Sequence, residues 1–146
     1  MTTLPKDFKE FFELLNKHGV KYLVIGGYAV VYHGYVRSTN DIDIWVDIDP
    51  GNINDLLKVL DEFGFSSLNI TSSDFQPNRI IQLGYPPHRI DLITSPAGVD
   101  FATCYAAREC VLIDDIHINF IDLSNLIKAK LASKRTRDLA DVEELS

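Results

Sequence analysis

Basic residues are scarce in this chain. Fourteen Lys and Arg stand against 21 Asp and Glu, giving a net charge of −7 over 146 residues. A protein that coats nucleic acid needs a basic face for the phosphates, so this balance excludes that class while leaving room for a local basic groove. Cysteine is scarce too. Cys104 and Cys110 have no CxxC spacing and no obvious histidine partners, which argues against a zinc site. In a reducing compartment they read as core or surface thiols. Long apolar runs are missing. Stretches such as Tyr22–Ile25 fall far short of a membrane span. The opening MTTLPKDFKEFF has no basic n-region, no long apolar h-region and no small-residue cleavage site, so no secretion signal is read. The expectation is a cytoplasmic protein with no membrane partner. No repeat, low-complexity tract or linker divides the chain, and its length suits one domain over 1–146.

What is present is the composition of a soluble globular protein, 46% hydrophobic and 24% charged. Phe8, Phe11, Phe12 and Leu15 recur at helical spacing between Pro5 and Gly19, which predicts a first amphipathic helix. Lys21–Ile25 reads as a short buried strand stopped by Gly26 and Gly27, and Tyr28–His33 as one or two helical turns closed by Gly34. Asn40–Asp49 is the clearest strand. Asp41, Asp43, Trp45, Asp47 and Asp49 fall on one parity, with Ile42, Ile44, Val46 and Ile48 on the other. Ile53, Leu56, Leu57, Leu60 and Phe63 predict a second amphipathic helix ended by Gly64. Strands follow at Arg79–Leu83 and Arg89–Ile93 with GYPPH as a hairpin loop, then a helix around Phe101–Glu109 and a strand or strand pair across Val111–Ile121. Ser124 is the expected N-cap of a helix carrying Leu126, Ile127, Lys130 and Leu131, and Asp138–Leu145 is a last helical segment. Residues 122–146 thus form a C-terminal helical tail. The mixture predicts an α/β (α+β) architecture, a mixed sheet with helices packed mainly on one face.

Asp41 and Asp43 are two apart on a strand, so their side chains leave one face about 7 Å apart at the backbone. They can converge on a cation between them, which removes the repulsion of two close carboxylates. Oxygen ligands with nothing soft nearby favour Mg²⁺ or Mn²⁺. Magnesium holds few protein ligands and takes others from substrate phosphates, so the pair implies a phosphate-bearing substrate and a third carboxylate. Asp91, between Ile90 and Leu92, has the right setting. Three such carboxylates could hold two metals ~3.5–4 Å apart. Gly26 and Gly27 lie where a strand turns into a helix, a place whose free backbone N–H groups suit an anion. Alone, an alternating Asp strand is commonly a solvated face and Gly-Gly a turn; the combination carries the chemistry. Asp47 and Asp49 read as surface or helix-capping residues.

VIGGYAVVYHG, RSTNDIDIWV and HRIDLIT together resemble the nucleotidyltransferase superfamily related to DNA polymerase β, and within it the small minimal-nucleotidyltransferase and abortive-infection toxin type. The match extends over roughly Tyr22–Thr94, with a weaker likeness through FIDLSNLIKAKLASKRTRDLADVEEL. The resemblance implies metal binding by Asp41, Asp43 and Asp91, with Asp91 helping to deprotonate the attacking hydroxyl. It implies a triphosphate against Gly26 and Gly27, and transfer of a nucleoside monophosphate from an NTP such as ATP with release of pyrophosphate. A small molecule, a protein hydroxyl or a tRNA end would be the acceptor, and an antitoxin a partner. Many members carry Ser where this chain has Gly27. A catalytically inactive nucleotide-binding module or partner subunit therefore stays open as the other reading.

Further residues could support the nucleotide. Arg37 could hold a phosphate and Ser38 or Thr39 the substrate or loop, against the alternative of a solvated loop. Lys130 could reach the triphosphate; otherwise it and Lys134 solvate an outer helix face. Arg89 shares parity with Asp91 and could neutralise the cluster or guide nucleotide. Trp45 could stack a base or close the core, and His33 could serve phosphate or pack locally.

Overall fold

The computed structural model describes residues 4–34, 40–65, 68–85, 87–96, 98–133 and 136–145. Helix α1 spans Lys6–Lys17, started at Pro5 and followed by Gly19 in the left-handed region at φ +66°. It buries the four residues of its predicted apolar stripe, Phe8, Phe11, Phe12 and Leu15, completely. Each such side chain contributes about 1.5–3 kcal/mol by leaving water. Strand β1 (Tyr22–Ile25) runs into α2 (Gly26–Tyr32). Then come β2 (Ile42–Val46) and α3 (Pro50–Phe63). The chain continues through β3 (Ile80–Leu83), β4 (Ile90–Ile93), α4 (Phe101–Ala106), β5 (Glu109–Ile113) and β6 (Ile116–Phe120). Helices α5 (Leu123–Ser133) and α6 (Thr136–Leu145) close it. Among the described residues, no helix is long and apolar enough to cross a membrane.

Among the described residues, six strands make one mixed sheet in the order β3-β4-β2-β1-β6-β5. β2 lies antiparallel to β1 and parallel to β4, while β1 and β6 run parallel. The register gives each face its content. Tyr22 and Val24 on β1 align with Val46 and Ile44 on β2, and Ile90 and Leu92 on β4 align with Ile42 and Ile44. This is the apolar face. The ring of Phe12 on α1 meets Tyr22 at 5.6 Å, Phe11 meets Phe63 of α3, and Tyr32 of α2 stacks on Phe120. Helices α1, α2 and α3 therefore gather on this side.

Several local details differ from the sequence reading. β2 is shorter than Asn40–Asp49, because its partners β1 and β4 are four-residue strands and the ladder ends with them. Asp41 consequently sits just before the ladder, on a backbone held by the Ile42 N–H to the Arg89 carbonyl at 3.0 Å. Asp49, in agreement with its reading as a helix-capping residue, caps α3 and accepts from the Gly51 N–H. Ser124 does not cap α5. Asp122 takes that position, its carboxylate accepting from the Asn125 side chain at 2.7 Å and the Asn125 N–H at 3.4 Å. The region around 111–121 is a hairpin of β5 and β6 whose turn residues Asp114 and Asp115 both have positive φ.

Asn52 of α3 ties the sheet's end to the helix. Its side-chain oxygen accepts from the Lys21 N–H at 2.7 Å, and its amide donates to the carbonyls of Lys21 and Asp47. The group is buried, so truncation leaves backbone groups without partners. Asn52→Ala is expected to lower the unfolding free energy by about 2–3 kcal/mol, read from urea denaturation midpoints at constant slope.

Candidate active site

The second face of the sheet is built in two rows. Along the first, Gln82, Asp91, Asp43 and Ile25 stand opposite one another across β3, β4, β2 and β1. Along the second, two residues further, stand Ile80, Ile93, Trp45 and Leu23. Helix α4 packs on the second row at Trp45, while Ile80 at the sheet edge stays exposed. The Phe101 ring meets Trp45 edge-on at 5.1 Å, and Trp45 Nε1 donates to the Thr94 carbonyl at 3.2 Å. Trp45 is thus a core residue and closes the apolar half of this face. The carboxylate row stays open.

Adjacent strands lie about 4.8 Å apart, so Asp43 and Asp91 are immediate neighbours on one face. Asp41, two residues before Asp43, joins them through Arg89. The guanidinium donates from Nε to Asp91 Oδ1 at 2.8 Å and from Nη2 to Asp91 Oδ2 at 3.1 Å, and lies 3.1 Å from Asp41 Oδ2. Its pKa is raised above the usual arginine range, first by the hydrogen bond to Asp91 and then by the charges of Asp91, Asp41 and Asp43, against an opposing desolvation. Tyr28 of α2 is nearby. Its hydroxyl is held protonated above the ordinary tyrosine range by burial and, secondly, by the charge of Asp41.

Gly26 belongs to this cluster for a steric reason. It has φ +66°, and a Cβ there would overlap Asp43 Oδ2 and come within 2.9 Å of its Cγ. The missing side chain is the space in which the Asp43 carboxylate sits. Gly26→Ala is expected to cost about 1–2 kcal/mol from the left-handed backbone alone, and more from displacing Asp43. Paired thermal melts and a transfer assay should show activity falling further than stability.

A cavity of about 940 Å³ opens over the carboxylate row, and Gly26, Gly27, Asp41, Asp43, Asp91 and Lys130 all line it. The structure therefore brings six of the eight nucleotide- and metal-site residues expected from the sequence to one place. The other two, Arg37 and Thr39, lie outside the described residues. Lys130 does not solvate an outer face. It is buried between α5 and α6, with its ammonium 2.9 Å from Asp138 Oδ1 and 3.1 Å from Asp141 Oδ2. Its first task is to join two helices. Gln82, directly across from Asp91, was not singled out from the sequence; counting back through the predicted hairpin would have placed it there. His33 packs locally, its Nε2 2.8 Å from the Ile121 carbonyl.

The profile of a family described as "nucleotidyltransferase of unknown function" (DUF6036) matches residues 3–146. The chain belongs to this family. Its class of activity is nucleotidyl transfer. The fold of this nucleotidyltransferase recurs in solved structures of low sequence identity. A protein from Thermotoga maritima described as a nucleotidyltransferase superimposes with a TM-score of 0.63 at 14% identity, over 94% of this chain and 88% of the other. The lincosamide antibiotic adenylyltransferase LnuA, with lincomycin bound, gives 0.56 at 15% identity, over 99% and 98%. An antigenic nucleotidyltransferase-like protein from Paracoccidioides brasiliensis gives 0.54 at 16% identity, over 95% and 74%. No curated protein sequence matches the chain.

The donor set suits a hard cation: three carboxylates on one face, with a positive group already drawn among them. Their present arrangement is turned to the guanidinium. Among the described residues, no three His, Cys, Asp or Glu side chains form a group that could hold an ion as they stand.

Proposed function

We propose that this protein transfers a nucleoside monophosphate from an NTP to a hydroxyl acceptor, using Mg²⁺ or Mn²⁺ and releasing pyrophosphate. The observation that carries the reading is the register of β2 against β4, which sets Asp43 beside Asp91 at a cavity floored by Gly26 and Gly27. Asp41, Asp43 and Asp91 would hold the metal; bound there, it offsets charge on the phosphoryl oxygens and orients the triphosphate. Gly26 and Gly27 let the backbone approach that triphosphate closely. Arg37 and Thr39 bind nucleotide from the segment before β2. Lys130 serves the same site by fixing α5 and α6 as its wall, so 122–146 is part of one unit with the rest of 1–146. Asp91 takes the proton of the acceptor hydroxyl as its oxygen bonds to the α-phosphorus. The bond from that phosphorus to the β-phosphate bridging oxygen breaks, and pyrophosphate leaves. Positioning and electrostatics carry most of such a barrier.

The acceptor is an alcohol of unassigned identity. LnuA, a lincosamide adenylyltransferase of nearly the same extent, supports testing small hydroxyl compounds. The resemblance to toxin-type members supports testing tRNA ends and protein hydroxyls, with an antitoxin as partner. A cytoplasmic location suits a reaction that consumes NTP. The test incubates α-labelled NTPs with each acceptor pool and Mg²⁺, and measures label transfer and pyrophosphate release. Transfer that disappears in Asp41→Ala supports the reading. Nucleotide binding with metal but without pyrophosphate release from any pool favours a binding module instead.

A further inference from the structure

Among the described residues, the structure places the Arg89 cation in the carboxylate cluster. Its guanidinium makes three close contacts to two carboxylates, Asp41 just before β2 and Asp91 within the neighbouring β4. Its backbone cannot drift, because its carbonyl accepts the Ile42 N–H in line with the β2–β4 ladder. Its side chain can. It is about one-quarter exposed at the cavity wall, so an outward turn would not have to cross the core. A divalent ion entering the same oxygens meets a like charge and finds those lone pairs engaged.

Resting on the reading above, we propose that Arg89 is a displaceable counter-ion for the metal site. In the resting protein it holds Asp41 and Asp91 together and keeps a divalent ion from settling there alone. When ion and nucleotide arrive together, the guanidinium gives up both carboxylates and turns to the triphosphate, exchanging these anionic partners for another. Metal and nucleotide binding are thereby coupled, since each relieves a cost met by the other. Arg89 acts here as a positioning residue for the carboxylates.

The test is Mn²⁺ binding to the full chain without nucleotide, by calorimetry and by the paramagnetic spectrum of free Mn²⁺. Arg89→Gln is expected to bind Mn²⁺ at least about tenfold tighter than the unaltered protein, the scale of removing one adjacent like charge. Arg89→Lys should return toward the weak value. With a non-hydrolysable NTP analogue present, the gap between the proteins should narrow. Equal or weaker Mn²⁺ binding by Arg89→Gln overturns the proposal. Should that variant not fold, the Arg89 Nε–H resonance of the unaltered protein, assigned by its loss in Arg89→Lys, decides the matter. It should move on adding Mg²⁺ with the analogue; an unmoved signal overturns the idea. If Asp43→Asn removes Mn²⁺ binding while Arg89→Gln leaves it unchanged, only the counter-ion role fails. If no protein binds Mn²⁺ even with the analogue, the metal-dependent function itself fails.

Discussion

Asp43→Asn should lower pyrophosphate release by about a thousandfold, with the fold intact. Asparagine keeps the shape and one oxygen but removes the charge. The carboxylate stands at the centre of the row, between Asp91 on β4 and Ile25 on β1, and packs into the space that Gly26 leaves. If it is a metal ligand, its loss forfeits several kcal/mol of stabilisation of developing charge, and about 4 kcal/mol corresponds to a thousandfold in rate. Steady-state kinetics with the acceptor that supports transfer, alongside a melting curve, check this. A drop of less than about tenfold would leave the carboxylate row without a central role. Relieving like-charge crowding offsets part of any structural cost, so the melting temperature should fall little.

The second large effect falls on stability. Lys130→Met is expected to lower the unfolding free energy by about 3 kcal/mol or more. The ammonium is buried against Asp138 and Asp141, and Asp138 Oδ2 lies 2.6 Å from Ser133 Oγ. Removing the cation takes the α5 ammonium away from two buried carboxylates that stand three residues apart on α6. Methionine fills the space but cannot answer the charge, and arginine is too large and planar to substitute without strain. Denaturant unfolding gives the cost. Because α5 lines the cavity, a companion measurement of nucleotide affinity should weaken as α6 loosens. Unfolding at the same denaturant concentration as the unaltered protein would show that α6 is held by other contacts.

Much of the fold was legible along the chain. The apolar stripe of α1, the Gly64 end of α3 and the paired parities of β2 are each written within a dozen residues. The turn at Asp114–Asp115 was not. It has no glycine, and aspartate signals a left-handed turn more weakly, so the local pattern is compatible with one strand or two. Ser124 is a good capping residue by type, but α5 begins at Leu123, one residue earlier, so the capping position falls to Asp122. Asp41 lies outside the ladder because strand ends depend on partner length, which no single strand records.

At the site, the division is physical. Side-chain parity is a local property of an extended chain, so the sequence by itself determined that Asp41 and Asp43 share a face, that Arg89 and Asp91 share another, and that both strands carry their apolar residues opposite. Pairing is not local. That Asp43 aligns with Asp91, 48 residues later, depends on β2 and β4 choosing each other as parallel neighbours. Only the tertiary structure decided that register, the open half of the face left uncovered by α4, the guanidinium lodged between two strands, and the burial of Lys130 where two helices fold back on each other. Each is set by how separate elements pack on one another, which local pattern does not encode.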